Sequence, residues 1–453
     1  MRFGERRPLW LCVRETGSMV GPIQVNQSSA ASYQVDTEME GGQASLALSN
    51  LRGIVILVVL GFHSMLAYLG SLGPVPFAFA VAPYEWRAFP IVDSHRWYGF
   101  DILCAWQDVY LMALMFFLSA LFTWPSLSRK GTRAFLTGRL VRLGVPFVFA
   151  VTVVIPLAIY PVYLATAVHP GPVAYLRALR ALPFWPDGPM WFLWQLLVLT
   201  ALAAGLHRFA PGWIAALGRW SVAAAARPER LFAVLAAVAV LAYVPPALAF
   251  TPWAWSEHGP FALQYCRPGL YAVFYLAGLG VGAGGLGRGL LAPAGAVARH
   301  WNRFLAGSAA ALMLWMGLTA LTMRAPPGPL LVQLGADIAF ALTCTASCLF
   351  MIAACLRFAV VRSRVLASLS RNALGMYVLH YAAVVWLQYA LLGLAWFAVA
   401  KAGVVFAVTV ALSWGATIGL RRLRLGAILL GEPPPRRSPV IAVVPLRTHP
   451  SCR

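Results

Sequence analysis

The chain has 453 residues, 60% of them apolar and only 11% charged, with a mean hydropathy of +0.74. Those values exclude a soluble globular domain, because so little charge cannot solvate the surface of a protein this size. A formal charge of +21 would suit nucleic acid, but the basic residues lie in short clusters between apolar runs rather than in one patch, so no nucleic-acid partner is expected and the clusters are topology signals.

The first element, residues 1–45, is polar, rich in Gly, Ser and Gln, and lacks a cleavable signal pattern. It is expected to be a disordered cytoplasmic segment, with Met39 an alternative start to Met1. The membrane domain follows over residues 46–424. Runs of about 20 apolar residues, the length of a bilayer-spanning helix, lie near residues 51–71, 107–125, 141–163, 189–208, 231–250, 269–286, 304–322, 333–356, 373–394 and 402–420. The expected fold is therefore an all-α polytopic bundle of about ten transmembrane helices. With the N-terminus inside, the outward segments hold only Arg87, Arg96, Arg177, Arg180, Arg267, Arg324 and Lys401 of the 35 basic residues. That asymmetry places both termini in the cytoplasm by the positive-inside rule. The last element, residues 425–453, carries three consecutive prolines and is expected to be a disordered basic cytoplasmic tail.

Seven cysteines show no paired metal spacing, and no metal site is expected. Cys344, Cys348 and Cys355 share one helical face and read as packing, whereas Cys104 and Cys266 both face outward, where a disulfide is chemically permitted.

A titratable side chain inside hydrocarbon is costly and asks for a partner or a function. The expected spans contain His63 and His380, with Arg52, Asp108, Asp337 and Arg267 nearer their ends. Arg52 and His63 are eleven residues apart, which returns to almost the same helical face with a rise of about 16 Å. Arg52 would stand at the cytoplasmic mouth and His63 about halfway across. Arginine suits a phosphate-bearing molecule, and histidine suits proton transfer from a hydroxyl. The competing reading makes Arg52 a topology anchor and His63 a packed core residue. His380, nine residues beyond Arg371, has a depth comparable with His63, and Tyr377 shares its face. The two histidines could meet in one cavity, or His380 could simply hold the bundle together.

LRGIVILVVLGFHS, residues 51–64, resembles the opening helix of the membrane-bound acyltransferase 3 family, in which Arg-Gly is followed eleven residues later by histidine. FFLSALF (116–122), RLVRLGVPF (139–147), MWFLWQLL (190–197) and ALGMYVLHYAAVV (373–385) resemble further family elements in the same order. Ala120 stands where the family usually has glycine. The region from Gly259 to Gly285 is similar to the branch near the periplasmic glucan succinyltransferase.

The resemblance implies an O-acyltransferase of the bacterial inner membrane. It would move an acetyl, succinyl or similar group from a cytosolic acyl-CoA to a hydroxyl of a cell-envelope glycan or other carbohydrate at the outer face. His63 and Arg52 would be catalytic, and Arg139 and Arg142 would meet the CoA phosphates. His380, Tyr377, Trp191, Arg267 and Asp108 are the candidate substrate contacts. Trp191 with Trp194 could equally form an interfacial belt, and Arg267 could meet an acid or an anionic acceptor. Acyl-CoA would be a co-substrate, with no permanently bound cofactor. Two other classes compete. A transporter of an anionic or sugar substrate would also use buried charges, and a lipid-linked sugar glycosyltransferase would use acids in an outer loop, here Glu85, Asp93 and Asp101, with His95 nearby.

Overall fold

The computed structural model describes residues 27–432 apart from 74, 288, 294 and 325–327. Most of both expected disordered ends, residues 1–26 and 433–453, therefore lies outside the described residues. In lipid every backbone N–H and C=O must be satisfied within its own segment, so the apolar runs become helices. In chain order these are α1 (Gln27–Met65), α2 (Tyr98–Lys130, turned at residues 121–122), α3 (Thr132–Thr166), the short α4 (Pro172–Ala181), α5 (Trp191–Phe209), α6 (Pro211–Ala224) and α7 (Pro228–Phe250). An antiparallel hairpin follows, β1 (Trp255–His258) with β2 (Phe261–Gln264), in the register Trp255 to Gln264. There follow α8 (Arg267–Gly284), a single helical turn at Ala296–Arg299, α9 (Trp301–Arg324), α10 (Leu330–Phe358), α11 (Arg364–Ala390), α12 (Ala398–Arg422) and α13 (Arg424–Leu429).

Among the described residues, eight helices are long and apolar enough to cross a membrane by length and composition. The other two expected spans, 269–286 and 373–394, are also helical, as α8 and α11. Arginine, glycine, asparagine and histidine dilute their apolar character. Both lie inside the bundle, where neighbours shield those groups from lipid: α11 packs against α1, α3 and α12, and α8 against α2, α6 and α7. The glycines of α8 serve this packing, since a Cβ at Gly278 or Gly282 would lie 2.3 or 2.1 Å from the carbonyl oxygens of Phe117 and Leu121. In contrast, α9 packs on α10 and leaves its other faces open; 17% of its apolar stretch is buried against 78% for α10.

Two boundaries differ from expectation. Residues 27–45 continue α1 instead of being disordered. Once a membrane helix is nucleated, each further residue of good helix propensity adds a bond at little cost, and Ala, Gln, Glu and Met supply that propensity here. At the other end, α13 and the residues up to Glu432 belong to the bundle rather than to a tail. Leu430 is buried, a Cβ on Gly431 would meet the Arg142 carbonyl, and Arg421 forms an ion pair with Glu432.

The long loop between α1 and α2 is tied down at the end of the bundle that also carries the hairpin. Asp93 and Lys401 form an ion pair at 2.7 Å with both side chains fully buried, and the Asp101 carboxylate accepts from the Gly70 and Ser71 N–H groups at 2.7 and 3.0 Å. Cys104 and Cys266 are free thiols and form no bridge; Cys344, Cys348 and Cys355 pack in the core, as their shared face implies.

Candidate active site

At the arginine-rich end of the bundle a cavity of about 650 Å³ opens between α1, α3, α11 and α12. Arg52, Arg142, Arg371 and Arg421 line it, together with Asn372 and Glu432. Among the described residues Glu432 is the single carboxylate on its wall. Arg52 donates to the Leu118 carbonyl at 3.3 Å, and its guanidinium lies 4.3 Å from the centre of the Phe122 ring. Arg52 lines this cavity with Ser49 and Ser45, which stand about one and two turns earlier on α1. The adjacent Gly53 lets α1 touch α11 at this level, since a Cβ there would stand 2.8 Å from the Leu366 carbonyl oxygen.

About 16 Å further along α1, His63 lies in the helix's last turn. Its Nδ1 is 3.3 Å from Nε2 of His380, so the two histidines meet across α1 and α11 although 317 residues separate them. Both rings are fixed by the backbone. His63 Nδ1 is 2.9 Å from the Val59 carbonyl oxygen, and His380 Nδ1 is 2.7 Å from that of Tyr377. A carbonyl oxygen only accepts, so in the neutral rings both Nδ1 atoms carry the proton. His380 Nε2 is then unprotonated and shares the Nδ1–H of His63. What remains is Nε2 of His63, a lone pair with no hydrogen-bond partner among the described residues. Gln388 secures the helix end by donating to the His63 carbonyl at 2.9 Å.

Tyr381 meets the His63 ring edge-on, with centroids 5.6 Å apart. Above it runs the turn Asp187–Gly188–Pro189. Gly188 has φ +51°, and a Cβ on it would come within 3.1 Å of Tyr381 and 2.8 Å of Ile155. Only glycine holds this turn against the ring. Tyr377 donates its hydroxyl to the Pro189 carbonyl. Asp187 is 4% exposed, accepts from the Ala262 N–H of β2, and has one oxygen, Oδ2, buried without a partner. Burial pushes its carboxyl up to about 7, and the nearby Arg87 charge and the backbone donors only partly offset this.

The remaining sequence candidates are distributed as follows. His380 and Tyr377 are fully enclosed, so they support His63 from behind instead of forming a surface for substrate. Trp191 stands off from the imidazoles, stacked on Tyr271 at 5.8 Å in an aromatic file that continues through Phe116 and Phe192 to Tyr377. Trp194 donates to the Ala262 carbonyl at 3.3 Å. Arg267 is buried and locked to Asp108, with Nη2 2.6 Å from Oδ2 and Nη1 3.1 Å from the backbone oxygen. Of the two loop arginines, Arg142 reaches the cavity, whereas Arg139 lies 5.2 Å from the Phe135 ring centre and does not line it. Arg371, Arg421 and Asn372 carried no functional signal in the sequence beyond their positions at helix ends. Among the loop acids, Asp93 is paired with Lys401 and Asp101 caps backbone, which removes two of the three carboxylates that a glycosyltransferase reading requires. Asp93 is thus a buried ion-pair partner, not a solvated loop residue. Among the described residues no group of three or more His, Cys, Asp or Glu could hold a metal.

The polytopic helical bundle thus carries an arginine-lined cavity and, further along α1, a histidine whose Nε2 has no hydrogen-bond partner among the described residues. The model of the acyltransferase 3 family, described as an acyltransferase domain, matches residues 45–418, and the chain belongs to that family. It is a membrane acyltransferase. No curated protein and no solved structure matches it.

Proposed function

We propose that the protein transfers an acyl group, acetyl, succinyl or similar, from a cytosolic acyl-CoA to a hydroxyl of a cell-envelope glycan or other carbohydrate at the outer face of the bacterial inner membrane. The observation that carries this reading is the cavity in which four arginines converge; His63 lies about 16 Å further along the same face of α1. The phosphates of CoA would bind Arg52, Arg142, Arg371 and Arg421 by charge-assisted hydrogen bonds. The arginine-rich end is then the cytoplasmic one, in line with the positive-inside rule. From there the pantetheine arm extends along α1 and brings the thioester to His63.

Nε2 of His63 serves two routes. As a general base it takes the proton of the acceptor hydroxyl while that oxygen attacks the thioester carbonyl; the C–S bond breaks and the thiolate leaves, to be protonated by the imidazolium. As a nucleophile it attacks the thioester itself, releases the thiolate, and gives the acyl group to the acceptor oxygen in a second displacement, the hydroxyl proton passing to the thiolate. In both routes positive charge grows on the His63 ring, and His380 Nε2, accepting the Nδ1–H, stabilises it.

The test is transfer of a labelled acyl group by purified protein. His63→Ala should lower turnover by about 10²- to 10⁴-fold, and Arg52→Ala should raise the donor KM. Mass spectrometry of protein quenched after mixing with donor alone separates the two routes, since only the nucleophilic one leaves the acyl mass on the peptide containing His63. Unimpaired turnover by His63→Ala would sink the assignment.

A further inference from the structure

Among the described residues the wall of the arginine cavity holds one anion, the Glu432 carboxylate, and of the four arginines Arg421 is the one paired with it. Nη1 of Arg421 donates to the Arg371 carbonyl at 3.2 Å and to Asn372 Oδ1 at 2.6 Å, so one edge of the guanidinium is held in the wall. The other edge, Nη2, meets Glu432 Oε1. The backbone of Glu432 is equally fixed. Helix α13 closes in a left-handed turn at Gly431, φ +79°, where the Gly431 N–H reaches the Ile428 carbonyl and the Glu432 N–H reaches back to that of Ala427, both at 2.9 Å. A Cβ on Gly431 would lie 2.3 Å from the Arg142 carbonyl oxygen, so the turn sits on α3 beside a second cavity arginine. The Glu432 side chain is free by comparison, being 36% exposed against 29% for Arg421. A change of rotamer takes its carboxylate off Arg421 without moving the chain.

We infer that Glu432 is a built-in competitor of the donor, its carboxylate holding the place on Arg421 Nη2 that a phosphate oxygen of acyl-CoA takes after displacing it. A tethered carboxylate acts at a high effective concentration and lowers the affinity of every anion for Arg421 by the same factor. The consequence differs between ligands. A small anion held by one or two arginines is lost from the cavity, whereas a polyphosphate that also engages Arg52, Arg142 and Arg371 by charge-assisted bonds stays bound. When CoA leaves, the carboxylate returns and Arg421 is again paired. The inference rests on the acyl-CoA reading above.

The experiment measures CoA binding to full-length protein in detergent by isothermal titration calorimetry. Glu432→Gln keeps the size of the side chain and removes the charge; Glu432→Ala is the second variant, and melting without ligand checks that each is folded. Removing the competitor should tighten CoA by about fivefold, the upper worth of a part-exposed ion pair. In an Arg421→Gln background, where the carboxylate has lost that partner, the same change should alter the Kd by less than about twofold. CoA binding that is unchanged or weaker in both Glu432 variants overturns the inference. So does an equal gain in the Arg421→Gln background, which would make Glu432 a general repulsion of phosphate. Absence of CoA binding in the wild type and in both variants instead sinks the acyl-CoA reading itself, so the two failures are distinguishable.

Discussion

The two ends of the bundle handle charge in opposite ways. At the hairpin end the cations of α8 and α12 are matched one to one: Arg267 with Asp108 at 2.6 Å, and Lys401 with Asp93 at 2.7 Å. At the other end Arg52, Arg142, Arg371 and Arg421 share one cavity with a single carboxylate, Glu432. Matched charges in a protein interior hold structure together. A surplus of cations around a space of about 650 Å³ is a standing electrostatic cost unless an anion occupies it, and the field of such a cleft draws one in. The comparison separates arginines that stabilise the bundle from arginines that await a ligand, although composition alone treats them alike.

The largest effect is expected at the matched end. Lys401→Ala leaves the Asp93 carboxylate buried and unpaired, which should cost about 3–5 kcal/mol. Removing both partners, as in Lys401→Met with Asp93→Asn, should recover most of that loss, because the asparagine can still accept the His95 N–H that now reaches Asp93 at 2.8 Å. Thermal unfolding of detergent-solubilised protein measures both. If Lys401→Ala melted with the wild type, the distinction between the two ends would fail on this side.

A smaller effect of a different kind is expected at the unmatched end. Arg371→Ala should raise the acyl-CoA KM by about tenfold, the loss of one charge-assisted contact, and change stability by less than about 0.5 kcal/mol. Added salt should narrow the difference from wild type, since charges around an open cavity are screened. Arg371 is a cleaner choice than Arg421, which also donates to the Arg371 carbonyl and to Asn372 Oδ1. A loss of stability with unchanged donor KM would make the cavity arginines structural after all.

Much of the site was legible in the sequence, and what was legible is what depends on a single helix. The shared face of Arg52 and His63 follows from 3.6 residues per turn, and the depth of His380 follows from its distance beyond Arg371. That the imidazoles lie 3.3 Å apart depends on how α1 packs against α11, a contact between positions 317 residues apart that no local pattern encodes. The same is true of the ion pairs, since Lys401 and Asp93 read as a helix-end charge and a loop acid until the chain folds between them. Asp187 escaped notice because one acid before an apolar run carries no periodicity. Only its burial and its unpartnered oxygen set it apart.

The smallest expected effect discriminates most finely, because it concerns two residues that the sequence presents as equivalent. Arg139 and Arg142 are three apart, and on a regular α-helix they would share a face. In α3 a π-helical turn, Leu140–Gly144, lies at this point. Its wider i→i+5 winding carries Arg142 off the face of Arg139, as π turns do where helices serve a site. Arg142 turns into the cavity while Arg139 stays against Phe135. Arg139→Ala should therefore leave the donor KM within about twofold and cost about 0.5–1 kcal/mol of stability, the worth of a cation–π contact with a half-buried arginine. Arg142→Ala should raise the donor KM by about tenfold. Equal effects of the two substitutions on donor KM would mean that the π turn does not sort the arginines, and the surplus of cations at this end would then be a general attraction rather than a set of placed contacts.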